Sequence, residues 1–187
     1  MESILSISII GVGLAMDAFA ASICKGLTLT KRDFSKIVKV GVCFGFFQAI
    51  MPVLGFLLAS TFADKIKSLD HWIAFLLLSY IGINMIKESR IVTCDIESGF
   101  DFKSLTLIGI ATSIDAMAVG ISFAFLNVEI YSASILIGLI TFIISMLGVT
   151  LGNIFGIKYK QAAEFAGGII LIAMGIKILI EHLFFLK

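Results

Sequence analysis

Two aspartates sit in matching apolar surroundings, Met16-Asp17-Ala18-Phe19-Ala20 and Ile114-Asp115-Ala116-Met117-Ala118. An ionised Asp at the centre of a bilayer costs at least ~2.5–3.5 kcal/mol on insertion scales, so stability is a poor reason for either to be there. The cost falls where the carboxylate meets water, a cation, a proton or a hydrogen-bonding partner. If the two face one another they repel, which favours protonating one of them unless a cation enters between them. A divalent cation answers both problems, and its binding then competes with protons.

Two carboxylates do not complete the shell of an ion such as Mn²⁺ or Mg²⁺, which prefers several oxygen ligands. The companions expected from position are Thr112, one helical turn before Asp115, with Ser113, Asn84, Gln48 and Ser145. Met16 and Met117 carry softer thioethers, but neither stands above its Asp on a helix surface, and packing is their expected role. Glu88 and Glu164 fall near one mouth of the membrane region, where they could gather cations. Asp64, Asp70 and His71 fall on the other side and read as capping groups of the third span. Lys177 can snorkel outward from the last span or neutralise an Asp. No residue pattern points to a catalytic centre or a resident cofactor.

The elements that must hold these groups are apolar spans. Of 187 residues 59% are hydrophobic and 14% charged, and the mean hydropathy is +1.11, more apolar surface than a soluble domain of this size would bury. Six spans are predicted, near 4–24, 37–60, 70–87, 105–126, 131–156 and 163–183. The first lacks a basic leader and runs on into Asp17 and Lys25, so it reads as a retained helix rather than a signal peptide. The connections between spans are short, the longest being 88–104, and leave no room for a soluble catalytic domain. No basic face interleaved with aromatics supports nucleic-acid binding. Cys24, Cys43 and Cys94 show neither a close pair nor zinc-ligand spacing, and are expected to be free thiols or small apolar fillers.

Ten Lys and Arg residues flank the loops after spans one, three and five, against four on the opposite side. By the positive-inside rule the first group faces the cytoplasm and both termini face outward. Small residues supply close-packing faces, Gly41-x-x-x-Gly45 in span two and Gly148-x-x-x-Gly152-x-x-x-Gly156 in span five. Pro52 lacks the amide hydrogen of a regular helical bond and is expected to free a carbonyl near Gln48.

The chain also repeats itself. A shift of 98 residues lays Gly11 on Gly109, Asp17 on Asp115, Ala18 on Ala116 and Ala20 on Ala118. A shift of 97 lays Gly41 and Gly55 on Gly138 and Gly152, and a shift of 93 lays Gly82 and Ile83 on Gly175 and Ile176. A unit of three spans crosses an odd number of times, so its second copy enters the membrane from the other side. The expected fold is therefore an all-α polytopic membrane protein with six transmembrane helices in two inverted three-helix repeats, 1–90 and 105–187, joined by a cytoplasmic connection at 91–104.

Four stretches together resemble the bacterial manganese efflux pump family: GLAMDAFAASICKG (Gly13 to Gly26), HWIAFLLLSYIGINMIKE (His71 to Glu88), ATSIDAMAVGI (Ala111 to Ile121) and AEFAGGIILIAMGI (Ala163 to Ile176). The resemblance covers almost the whole length and implies a small six-span inner-membrane protein that exports Mn²⁺, while the competition of metal and protons for Asp17 and Asp115 leads us to expect proton-coupled alternating access. Under it, Asp17 and Asp115 look like the family's central acidic residues, Glu88 the acidic end of the third helix and Glu164 the acidic start of the last. Several relatives carry Glu in the second helix where this chain has Gln48, which offers a carbonyl oxygen but no charge. Competing readings are export of another divalent metal or small cation, a non-transporting scaffold held by its Asp residues, and an intramembrane aspartyl protease. The last lacks the Gly-x-Gly-Asp signature.

Overall fold

The computed structural model describes residues 4–29, 33–60, 70–88, 100–126 and 128–155, with parts of 165–180. Among these every regular element is a helix: α1 Ile4–Leu27, α2 Phe34–Ser60, α3 Asp70–Glu88, α4 Phe102–Ala111, α5 Ile114–Phe125 and α6 Ile130–Phe155. A shorter apolar helix, α7, follows at Gly168–Lys177. The chain is thus an all-helical polytopic membrane protein. Its α1, α2 and α6 are each long and apolar enough to cross a bilayer, and α4 with α5 makes a fourth crossing if the pair is one span bent by 43°.

Local chemistry sets several helix ends. The Asp33 carboxylate accepts from the amides of Ser35 at 3.1 Å and Lys36 at 3.4 Å, opening α2 as an N-cap. Asp101 does the same for α4 through the Ser104 amide at 3.1 Å. The end of α1 is tied to α6 by Asn153, whose Nδ2 donates to the carbonyls of Leu29 at 2.6 Å and Gly26 at 3.4 Å. That bond satisfies carbonyls a helix C-terminus would otherwise leave open.

Helix α6 shows how the faces divide. Tyr131, Ile135, Leu139, Ile143 and Leu147 recur every four residues and are exposed, an apolar stripe suited to lipid tails. The opposite face carries Ser134, Ile137, Gly138, Thr141, Ser145, Gly148 and Val149, all buried. Lipid is as apolar as Leu, so helix association here rests on close fit of small residues rather than on the hydrophobic effect. Gly41 meets Phe142 and Met146, and Gly138 meets Gly45 and Ala49, so α2 and α6 run antiparallel in near backbone contact. Gly148 lies against Phe19 and Ser22, and Gly152 against Ile23, along a parallel α1/α6 pair. Gly55 and Gly120 perform the same service between α2 and α5, against Met117 and Pro52. The small faces expected from the sequence are in use, apart from Gly156, which lies outside the described residues.

Two expectations are corrected. Span four is two helices interrupted at Thr112–Ser113, where apolar continuity concealed a change of direction. Cys24 is disulfide-bonded, so the three cysteines are not all thiols or fillers; Cys43 is free and half-buried.

A Cβ at Gly120 would run into the backbone of Pro52. Gly120→Leu should therefore force α5 away from α2 and cost about 1–3 kcal/mol by overpacking. Thermal unfolding in detergent micelles reads this directly, and a variant as stable as the parent would show that the helices do not approach so closely.

Candidate functional site

Asp115 owes its setting to the break in span four. It is the second residue of α5, one after Ile114 and two after the cap residue Ser113, in the positive end of the helix dipole. Its Oδ1 accepts from the Ala116 amide at 2.8 Å, and its Oδ2 is closed off from solvent. A carboxylate placed there is favoured by unpaired amide groups as well as by any cation.

Thr112 and Ser113 do not stand above Asp115 on one continuous helix, as their spacing had led us to expect. They close the end of α4 instead. The Thr112 hydroxyl donates to the Ile108 carbonyl at 2.9 Å, and that of Ser113 to the Gly109 carbonyl at 2.6 Å. Their amides donate to Ile108 at 2.9 Å and Ile110 at 3.1 Å. These bonds satisfy a backbone that has left the helical path inside an apolar environment. The hydroxyl protons are committed there, while the oxygen lone pairs can still accept or ligate.

Asp17 lies half-buried within unbroken α1, between the buried Leu14 and Ala18. Met16 packs against a core cluster that also contains Leu14, Ala116 and Ala118, so the flanks of both Asp residues join one core. This bears out a packing role for Met16. The α2 side contributes Gln48, which is fully buried. Its Nε2 donates to the Leu14 carbonyl at 3.3 Å, and its Oε1 has no partner. Pro52 lies inside α2 four residues on, so the Gln48 backbone carbonyl also lacks its usual helical donor. The freed carbonyl expected near Gln48 is thus its own. Ser145 on α6 is equally buried, and its hydroxyl is without a partner.

The remaining candidates are more dispersed. Asn84 is half-buried on α3, away from these helix ends in sequence. Glu88 ends α3, and its side chain lies outside the described residues, as do Glu164, Asp64 and the side chains of Asp70 and His71. Lys177 donates to Ser6 Oγ at 2.7 Å, joining α7 to the start of α1. Among the described residues no three His, Cys, Asp or Glu side chains gather as a metal group. An ion held here would rest on few carboxylates and several neutral oxygens.

Sequence reasoning missed one buried cation. Lys25 was counted with the cytoplasmic loop, but it is buried, and its Nζ donates to Ser104 Oγ at 3.0 Å beside the N-cap Asp101. The available signal was an unusual one: a Lys at the close of one apolar span and an Asp opening another.

A polytopic helical protein with an acidic side chain at a helix break has the layout of a secondary transporter. Comparison with known proteins narrows this class. Residues 30–179 match the family described as "Putative manganese efflux pump", and the chain belongs to that family. It is 55% identical over 184 residues to a protein of Acetivibrio thermocellus named "Putative manganese efflux pump MntP", covering 97% of this chain and 92% of the relative. Proteins of the same name from Desulfitobacterium hafniense and Mannheimia succiniciproducens are 54% and 50% identical over 182 and 186 residues, covering 97% and 98% of this chain. No solved structure matches the chain.

Ser113→Ala removes the 2.6 Å bond to Gly109 and leaves that buried carbonyl poorly satisfied. The expected loss is about 1–3 kcal/mol of stability, read as a lower unfolding temperature in detergent. An unchanged temperature would mean that the break is closed by other groups.

Proposed function

We propose that this chain exports Mn²⁺ from the cytoplasm across the bacterial cytoplasmic membrane, by proton-coupled alternating access through a site centred on Asp17 and Asp115. Family membership supports the substrate and direction. The observation that carries the site is Asp115 at the N-terminus of a half-helix, in a molecule whose α2 and α6 also bury unpartnered oxygens of Gln48 and Ser145.

The reading includes six spans in two inverted repeats, 1–90 and 105–187, with both termini outside. Reciprocal contacts support it. Under the 97-residue shift Gly41 corresponds to Gly138, Gly45 to Phe142 and Ala49 to Met146; Gly41 touches Phe142 and Met146, while Gly138 touches Gly45 and Ala49. An interface in which each residue meets its partner's counterpart is the mark of a two-fold axis. The Gly152 contact with Ile23 has its equivalent in Gly55 lying against Ile121. Gln48 and Ser145 are counterparts by the same shift, so the acidic pair is accompanied by a polar pair.

In this scheme Asp17 and Asp115 hold Mn²⁺, helped by the oxygens of Gln48, Ser145, Thr112 and Ser113, with Asn84 as a further ligand on the path. Glu88 and Glu164 concentrate the ion at the cytoplasmic mouth. Two carboxylates that share one ion exchange it for protons when the site opens outward, because neutralising them relieves both repulsion and burial. Gln48 supplies a carbonyl oxygen without a charge, so it adds no carboxylate for protons to neutralise.

Asp17→Asn and Asp115→Asn should each lower saturable Mn²⁺ flux in sealed proteoliposomes by at least about tenfold. Full flux in both folded variants would remove the paired site. Protons compete for the free carboxylates, so acid on the release side should speed export and acid on the loading side should slow it. Flux indifferent to an imposed pH gradient would exclude the proton-coupled scheme.

A further inference from the structure

Among the described residues, the buried hydroxyls that no lysine engages follow two habits. Ser113 and Ser122 fold back onto carbonyls of their own helices, at 2.6 and 3.3 Å. Ser22, Ser134, Thr141 and Ser145 are each at least nine-tenths buried and have no partner. Half-buried Ser79 and Thr106 also carry closed-off hydroxyls without a partner on α3 and α4, but the fully buried group is not scattered. Ser134, Thr141 and Ser145 are spaced by seven and four residues, which puts them on one stripe of α6.

Neighbouring contacts place that stripe. It lies between the α6 positions that touch α1, Ile137 and Gly148, and those that touch α2, Gly138 and Phe142. Ser22 meets Gly148 from α1. Gln48 bridges from α2 to the Leu14 carbonyl of α1 and leaves Oε1 open, one helical turn from Asp17. The three-helix seam therefore holds a line of oxygens that extends from Ser134 to the level of Gly148. At 1.5 Å per residue this is about 21 Å, most of a hydrocarbon core.

Each orphaned polar group in a dry apolar seam costs about 1–3 kcal/mol, and five in one line are hard to reconcile with a seam that only packs. Back-bonding to the preceding turn was available to every one of the hydroxyls and is taken elsewhere in the molecule. Their neutral oxygens are suited to replacing part of the water shell of a passing cation without holding it as tightly as carboxylates would.

We propose that the α1/α2/α6 seam is a hydrated cation track leading to Asp17, in which Ser134, Thr141, Ser145, Ser22 and Gln48 stand in for water ligands. The track rests on the transport reading above and adds its route. The oxygens come from α6 at successive turns, with Gln48 marking the level of the acidic site. The α4/α5 break is then an element of the site and not the conduit.

The test uses Thr141→Cys and Ser145→Cys in a Cys43→Ser background, reconstituted in vesicles and exposed to a small water-soluble methanethiosulfonate reagent. Ser122→Cys is the control, because Ser122 is as buried but back-bonded on α5. Modification is followed at each site by mass spectrometry, since only a hydrated thiolate reacts. Residues 141 and 145 should react at least about tenfold faster than 122, and millimolar Mn²⁺ should slow them. Reaction at all three sites as slow as at 122, with no effect of Mn²⁺, would overturn the track. Mn²⁺ flux of the parent in the same vesicles separates the two ideas. Flux with unreactive thiols discards the seam and keeps the exporter; fast, metal-protected thiols without flux keep a cation-binding seam and discard the exporter. Should the cysteine variants misfold, Ser145→Ala serves in their place, with Mn²⁺ affinity expected to fall severalfold and unchanged affinity counting against the track.

Discussion

The near contact of α2 and α6 backbones is the constraint on which everything else rests. With lipid outside, burying more Leu or Ile between these helices would gain little, and the contact exists because Gly41, Gly45 and Gly138 let main chains approach. Only at that separation can Gln48 and Ser145 face a common interior and α1 be held along the groove by Gly148 and Gly152. A larger residue at any of these points would open the seam to acyl chains, and polar groups made to face lipid would lose their value. The same small residues that fix the fold thus permit its polar interior.

The molecule then manages polarity in two ways. Where backbone must leave the helix, at Thr112 and Ser113, side chains of the break itself repair the exposed carbonyls. Where helix remains intact, several hydroxyls and the Gln48 Oε1 are carried between helices without protein partners. The first device makes a rigid platform for Asp115. On the proposed track, the second would give a surface that exchanges partners at little enthalpic cost, which a transported ion requires of its surroundings.

Much of this was legible in the chain. Apolar run length located α1, α2 and α6 to within a few residues, because a membrane helix announces itself by composition over some twenty positions. Gly spacing located the contact faces, and the energetic oddity of Asp17 and Asp115 singled out the acidic residues. Three features were not legible. The break at Thr112–Ser113 carries no Gly or Pro and uses Thr and Ser, which are equally at home inside an apolar helix. The burial of Lys25 depends on Ser104, 79 residues away. The bond of Cys24 was obscured by an odd cysteine count. In each case the deciding partner is remote in sequence or chemically unremarkable, so local pattern could not reveal it.

The bond from Gln48 to Leu14 has a consequence for motion. Leu14 is the position that corresponds, by the 98-residue shift, to Thr112, where the second half of the chain is broken. The chain is interrupted at Thr112 and unbroken at Leu14, so two stretches matched by that shift differ in shape. The Gln48 amide therefore ties α2 to α1 at the level where the matching stretch of chain is interrupted, and any bending of α1 there would first have to give up that bond.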